Sequence, residues 1–282
     1  MKILLTGSSG FIGRNLKEAY QDRYDLYTPS HRDLDLLDEE AIMEYLRLNR
    51  FDVVIHTANT NEVVRPELAP QILDRNLRMF CNLFRCRDQF GKMLYFGSGA
   101  EYDKAHYISE MPESYFGTHI PTDPYGFSKY IMSELTGKTN NIYDLRLFGV
   151  FGRHEEWRRR FISNMIYQAS VSDELRMDRN MYFDYLYVDD LAVILEWFIS
   201  HEPKYQHYNV CSGQPVTLLS LAEIVKEEMA SDARIIKAGE DWKSAYTGDN
   251  TRLITEYGEL SLTPMREAIR EMIAFYRENG FH

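Results

Sequence analysis

The sequence has 282 residues, 44% hydrophobic, 27% charged and 13% aromatic, enough to bury one large domain or a large domain with a smaller lobe. That balance excludes a disordered, collagen-like or low-complexity chain, and a net charge of −11 argues against general affinity for nucleic-acid backbones. The opening run Met1-Lys2-Ile3-Leu4-Leu5-Thr6-Gly7 is short and passes straight into glycines, so neither a signal peptide nor a membrane span is expected, and the chain reads as cytoplasmic.

Residues 2–6 form a β-branched and Leu-rich run that predicts a strand; residues 16–20 lie in a helical pattern and residues 25–28 predict a second strand, which together make a βαβ unit. The alternation continues with a helix near 39–48, a strand at 53–57, a helix near 72–89, a strand at 93–97, a helix over 125–136 and a strand at 143–148. Strands regularly separated by helices predict an α/β fold, a Rossmann-type doubly wound parallel sheet with helices on both faces. Cys81, Cys86 and Cys211 match neither a disulfide framework nor a metal site, so they are expected in the core and no metal is expected. From Arg153 the regularity weakens, and residues 153–160 are crowded with Arg, His and Glu. The expected division is a cofactor-binding domain over 1–152 and a smaller mixed substrate lobe over 153–282, with about 184–200 returning to the first domain. Ligands of such sheets bind at the carboxyl ends of the strands.

The first of those ends carries Thr6-Gly7-Ser8-Ser9-Gly10-Phe11-Ile12-Gly13, a G-x-x-G-x-x-G turn leading into the first helix. Gly7, Ser9, Gly10, Phe11, Ile12 and Gly13 would meet a dinucleotide pyrophosphate at the helix amino terminus, although a tight turn without ligand needs the same glycines. After the second strand comes Thr28-Pro29-Ser30-His31-Arg32, with no carboxylate before Asp33. Arg32 suits the 2′-phosphate of NADP(H), so NADP(H) is preferred and NAD(H) kept possible; the other reading is a solvated Arg32 paired with Asp33 or Asp35.

Asp123-Pro124-Tyr125 reads as a helix start, with Asp as N-cap and Pro at the first helical position. Tyr125 and Lys129, four residues apart, then share a helix face, where an ammonium lowers a phenol pKa toward the working range. Ser98, after a middle strand, would hold the substrate oxygen while Tyr125 transfers the proton and hydride passes to or from a nicotinamide.

The glycine turn, the Ser after a middle strand and the later Tyr-x-x-x-Lys together resemble the extended short-chain dehydrogenase/reductases, the NAD(P)-dependent nucleotide-sugar epimerase/dehydratase family. His56-Thr57-Ala58 is similar to the family's loop beside the cofactor, and Asn76 to its helix asparagine. Tyr185-Leu186-Tyr187-Val188-Asp189-Asp190, Tyr208-Asn209-Val210 and Asp249-Asn250-Thr251-Arg252 extend the likeness along the chain. The resemblance implies Tyr125 as proton donor or acceptor, Lys129 on the nicotinamide ribose and Ser98 on the reacting oxygen. It implies Asp35 and Leu36 near adenine, as in NADPH-using sugar-nucleotide reductases such as GDP-fucose synthase. Ser98, Gly99, Ala100, Tyr125 and Arg252 would line a small-molecule nucleotide-sugar substrate. A homodimer paired through the helices near 72–89 and 125–136 is implied too.

The departures from the family pattern narrow the chemistry. The family's 4,6-dehydratases follow the catalytic hydroxyl with Asp-Glu, and GDP-fucose synthase carries a proton-handling Cys two residues after its Ser; here Ser98 is followed by Gly99-Ala100. Dehydration and double epimerisation are therefore not expected. A 4-ketoreductase and a 4-epimerase both stand, and Arg32 favours the reductase. Gly149 stands where many members carry Asn, and Phe183 where many carry Arg, so substrate phosphate contacts are expected from Arg252 or from residues 153–160, which read equally as a solvated charged loop. A non-catalytic NADP-binding regulator is the rival class, disfavoured by the intact Ser98, Tyr125 and Lys129.

Overall fold

A computed structural model describes residues 1–61, 65–241 and 245–281. In chain order the elements are β1 (Lys2–Thr6), α1 (Phe11–Tyr20), β2 (Asp25–Tyr27), α2 (Glu39–Asn49), β3 (Val53–His56), α3 (Ile72–Arg85), β4 (Lys92–Ser98), α4 (Pro124–Thr136) and β5 (Ile142–Leu147). There follow β6 (Gly149–Phe151), α5 (Phe161–Val171), β7 (Glu174–Met177), β8 (Tyr182–Phe183), β9 (Tyr185–Tyr187), α6 (Val188–Ser200) and β10 (His207–Val210). The last elements are β11 (Val216–Thr217), α7 (Leu218–Glu228), β12 (Arg234–Lys237), α8 (Thr251–Tyr257) and α9 (Met265–Asn279).

The main sheet is six-stranded and parallel, in the order β10-β5-β4-β3-β1-β2. Strand order reverses between β1 and β3, so the loops leaving these two strands diverge and open a crevice at their carboxyl ends. Every residue of β3 and β4 is buried, as expected for strands covered on both faces. Alternate side chains enter different cores: Ile3 and Leu5 pack with Leu16 and Tyr20 of α1 and Leu191, Leu195 and Phe198 of α6. Leu4 instead packs with Ile42 and Leu46 of α2 and Phe80 and Leu83 of α3. A third core joins α5, α7 and α9, with Ile162, Met165, Leu221, Val225, Ile269 and Met272 at its centre. Beside it lie three two-stranded pairings, β11 with β8, β12 with β7 and β6 with β9.

The α/β fold expected from the sequence is the one observed, with boundaries that move at a few ends. The helix expected over 72–89 ends at Arg85, and a separate 3-10 turn spans Arg87–Gln89. The break falls where Cys86 turns its side chain inward and the chain must return to the sheet through buried Phe90. Cys86 and Cys211 are buried and Cys81 is half-buried, all three as free thiols. Among the described residues no helix is long and apolar enough to cross a membrane, and no cluster of potential metal ligands occurs.

Candidate active site

The glycine turn closes at the end of β1. Gly7 has φ +74°, and a Cβ there would stand 2.6 Å from Ala58 N and 2.7 Å from Thr57 Oγ1, so this position needs glycine. Gly13 is equally constrained, by the backbone of Gly7 against which α1 packs. Gly10 is the N-cap of α1 and supplies no side-chain acceptor, which leaves the first N–H groups of the helix for an external anion. Ser9 is exposed beside them. Phe11 and Ile12 pack their side chains against the core of α5, α7 and α9, Ile12 also against the sheet core, so their part toward a ligand would be played by the backbone. This uncapped helix start fits a dinucleotide pyrophosphate.

Around the adenosine end, the structure separates the predicted residues. Asp33 Oδ2 accepts bonds from Ser30 N at 3.0 Å and Ser30 Oγ at 2.6 Å, which hold its carboxyl below the usual range. Asp35 Oδ1 accepts from Leu37 N at 2.9 Å and lies 3.5 Å from His31 Nδ1. Neither carboxylate pairs with Arg32, which is exposed and has no ion pair among the described residues. The Leu36 side chain is buried in the α2–α3 core, so an adenine contact from that side chain is corrected to a packing role.

At the end of β3, His56 is 2% exposed and its Nδ1 meets Thr6 Oγ1 at 2.8 Å. Burial, reinforced by the charge of Lys129, lowers its pKa to about 3, so it is a neutral core histidine and its side chain does not reach the crevice. Thr57 Oγ1 donates to Thr6 O at 2.8 Å, and Ala58 backs onto Gly7. Asn76 is also corrected: its amide is tied to the backbone of Thr60, Oδ1 accepting from N at 2.7 Å and Nδ2 donating to O at 2.9 Å. It clamps the loop instead of facing the cofactor crevice. The clamp sets Asn59 against the Tyr125 phenol, a contact that sequence reading missed although Asn59 directly follows the recognised 56–58 motif.

Ser98 ends β4 and accepts from Ala100 N at 3.1 Å. Asp123 caps α4, its Oδ1 accepting from Gly126 N at 3.0 Å, with Pro124 opening the helix as expected. This start sets Tyr125 near Ser98 and Asn59, whose side chains both act to lower its phenol pKa. Burial raises the Tyr125 pKa, and the opposing pull of Ser98, Arg160 and Asn59 does not cancel it. The expected lowering is thus not found, because Lys129 Nζ is directed past the phenol to Phe96 O at 2.6 Å and lies 5.8 Å from the Tyr125 ring centre. Burial also lowers Lys129 itself, to about 8, against the upward pull of Glu101 and Asp144.

Behind these groups lies a charge network that no sequence motif announced. Arg146, 1% exposed, donates from Nε to Glu101 Oε2 at 2.6 Å and Asp144 Oδ2 at 3.2 Å, and from its two other nitrogens to Tyr102 Oη at 3.0 Å and Ser133 Oγ at 2.8 Å. Glu101 Oε1 accepts from Ser98 N at 2.9 Å, so the network reaches the carboxyl end of β4. Burial and the adjoining Asp144 carboxylate push the Glu101 pKa upward. Alternating buried polar residues within β5 were the one available signal, since Asp144 and Arg146 share a sheet face.

An aromatic cluster lies next to Gly149 and Gly99. Phe183 stacks on Tyr185 with ring centres 4.5 Å apart and meets Tyr246 at 4.9 Å; Tyr246 meets Phe148 at 5.2 Å and Tyr107 at 5.3 Å. A Cβ on Gly149 would stand 2.5 Å from Asp184 O and 2.6 Å from Phe183 Cε1, so the two unusual residues at 149 and 183 are one steric arrangement. Tyr246 was missed by sequence reading, as one of 20 tyrosines with no motif around it. Its place depends on backbone pairing, Tyr246 N donating to Tyr182 O and Asp184 N to Tyr246 O, both at 3.0 Å. Arg252 is not brought to this cluster: it donates to His207 O at 2.8 Å, at the opening residue of β10, and its guanidinium covers the Tyr205 ring at 4.5 Å. Its expected phosphate contact is therefore corrected to a structural one. In the 153–160 segment, Arg153 is paired with Asp189 at 2.9 Å, whereas Arg160 is exposed and acts electrostatically on both Tyr125 and Tyr246.

Comparison with known proteins matches this architecture. A sequence model of the NAD dependent epimerase/dehydratase family matches residues 3–211. The chain is 23% identical to GDP-L-colitose synthase of Yersinia pseudotuberculosis over 98% of both chains. A GDP-L-fucose synthetase of Naegleria fowleri bound to NADP superposes with a TM-score of 0.86 at 16% identity, covering 98% of this chain and 92% of that one. The GDP-mannoheptose C4 reductase of Campylobacter jejuni with NADP bound gives 0.85 at 17% identity, over 98% of both chains. The glycine turn, the Ser98–Tyr125–Lys129 grouping and the family match together establish that the chain is an enzyme of the NAD dependent epimerase/dehydratase family, the nicotinamide-dependent extended short-chain dehydrogenase/reductases of nucleotide-sugar chemistry.

Proposed function

We propose that this enzyme is an NADPH-dependent reductase of a 4-keto-6-deoxy nucleotide sugar, with Tyr125 as the proton donor. The observation that carries the reading is the Ser98–Tyr125 pair at the crevice mouth, unaccompanied by a further acid or base at positions 99 and 100. Ser98 would hold the ketone oxygen and Tyr125 would give it a proton, while Lys129 and Asn59 keep Tyr125 in place. A bound nicotinamide would supply the hydride. Gly99 and buried Ala100 offer no group to remove a ring C–H proton, which disfavours dehydration and epimerisation through an enolate.

Arg32, exposed and without an ion pair among the described residues, favours NADPH, because its guanidinium suits a 2′-phosphate. The aromatic wall of Tyr107, Phe148, Phe183 and Tyr246 suits the apolar edge of a deoxy sugar. Arg160 is the cation to meet the substrate diphosphate in place of Arg252. The GDP-sugar names of the relatives make GDP the first nucleotide to test.

The test follows NADPH and NADH absorbance with 4-keto-6-deoxy GDP, dTDP and UDP sugars, each generated in place by a separate dehydratase. Stoichiometric NADPH consumption with one of them is the expected result. A changed sugar with no net consumption, and nicotinamide retained through purification, would establish a 4-epimerase instead.

A further inference from the structure

Ser98 is the last residue of β4 and the cap of the 3-10 turn that follows it, Gly99–Glu101. That turn holds Ser98 at two points. Ser98 Oγ accepts from Ala100 N at 3.1 Å, while Glu101 Oε1 reaches back to accept from Ser98 N at 2.9 Å. The first bond fixes the rotamer of the hydroxyl and the second fixes the peptide that carries it. One lone pair of Oγ is thereby spent on Ala100, and its hydrogen stays free to be given.

The other oxygen of Glu101 is committed elsewhere. Oε2 accepts from Arg146 Nε at 2.6 Å, and that guanidinium is itself anchored on Tyr102, Ser133 and Asp144. Glu101 is 0% exposed and engaged at both oxygens, so it spans the gap between a fixed cation and the Ser98 peptide. Position 97 is kept small to admit it: a Cβ on Gly97 would stand 2.3 Å from Glu101 Oε1 and 2.0 Å from Asp144 Oδ1. The two carboxyls therefore come together beneath Gly97, and Asp144 Oδ1 has no hydrogen-bond partner there. Both donors that reach Glu101, the Ser98 peptide and Arg146, need an acceptor, and only a carboxyl group offers one at each end.

We propose that Glu101 is a positioning residue for the reaction: braced on Arg146, its carboxyl holds the Ser98 peptide at the end of β4 and so aims the Ser98 hydroxyl at the substrate oxygen. The inference rests on the reading of Ser98 as the group that holds that oxygen.

Two substitutions that remove the same charge from the same network separate this role from a merely structural one. Glu101→Gln suits every neighbour except Ser98: its amide oxygen goes to the charged Arg146 donor, its NH2 turns to Asp144 Oδ1, and the Ser98 N–H is left facing that NH2. Asp144→Asn keeps an oxygen for Arg146, Ser133 and His207 and turns its NH2 toward Glu101 Oε1, so the bond from Ser98 N survives.

The test uses the whole protein carrying serine isotopically labelled at nitrogen, in which Ser98→Ala identifies the Ser98 amide resonance by removing it. That amide proton is expected to move upfield in Glu101→Gln, as it loses a carboxyl acceptor, and to stay in place in Asp144→Asn. In turnover, Glu101→Gln is expected to lower kcat about tenfold to a hundredfold with KM for NADPH unchanged, whereas Asp144→Asn keeps kcat near that of the unsubstituted protein. In a Ser98→Ala background, Glu101→Gln is expected to cost nothing further. Glu101→Asp, still anionic but one methylene short of spanning Arg146 and Ser98, is expected to act as Glu101→Gln does and answers the question if the Gln variant does not fold. An amide resonance unmoved by substitution of Glu101, equal kcat losses in Glu101→Gln and Asp144→Asn, or losses that add in the Ser98→Ala background would overturn the proposal. Normal turnover of Ser98→Ala would overturn the reading of Ser98 itself, and the proposal with it.

Discussion

Asn76 closes a two-bond ring with the backbone of Thr60, receiving its N–H at 2.7 Å and donating to its carbonyl at 2.9 Å. Both partners are buried, so Asn76→Ala leaves a buried N–H and a buried C=O without their partner. The expected cost is about 3 kcal/mol in urea-unfolding stability. Because the ring fixes the residue beside Asn59, turnover should fall further than the unfolded fraction explains. A variant that is destabilised yet fully active when folded would show that the loop needs no clamp to serve Tyr125.

Removing the phenol oxygen alone separates chemistry from binding. Tyr125→Phe is expected to lower kcat by about two to four orders of magnitude while calorimetric cofactor affinity stays within twofold, since the ring and Lys129 remain. Normal turnover would rule out Tyr125 as the proton donor.

Arg32 is exposed and has no ion pair among the described residues, so its loss should affect ligands more than folding. Arg32→Ala is expected to weaken NADPH binding roughly tenfold and NADH binding hardly at all. Equal losses in a fluorescence titration with the two cofactors would remove the basis for preferring NADPH.

His56 gives the acid limb of stability a defined slope. The folded state holds it neutral down to about 3, whereas the unfolded chain protonates it near its ordinary 6.5. Between those values the unfolded state binds the extra proton, so stability is complete above 6.5 and falls as pH drops, by about 1.4 kcal/mol per pH unit. His56→Gln keeps a partner for Thr6 Oγ1 and should flatten the limb by one proton. Parallel pH profiles of unfolding free energy for the two proteins would contradict this assignment.

What the sequence revealed depended on periodicity and local motif. The buried runs of β1 and β3, the Asp123-Pro124 helix start and the glycine turn are all written in adjacent residues, and each was placed within a residue or two. Side-chain direction was less legible. His56 and Leu36 sit in stretches that border the crevice, but strand alternation and core packing turn them inward. Asn59, Tyr246 and the Arg146–Glu101–Asp144 network were invisible for a different reason. Their partners lie in separate parts of the chain, and only the parallel pairing of β4 with β5 and the return of Tyr246 to Tyr182 bring them together.

The packing of Gly149 against Phe183 limits the routes by which this site could change. Installing a polar side chain at 149 requires both a smaller residue at 183 and a shift of the backbone at Asp184, because even a methyl group at 149 meets the ring and the Asp184 carbonyl. Filling 149 first passes through a strained protein. A lineage or an engineer moving toward polar phosphate recognition here must therefore change side chain and backbone together: opening the wall at 183 gives room only once the backbone at Asp184 also moves back.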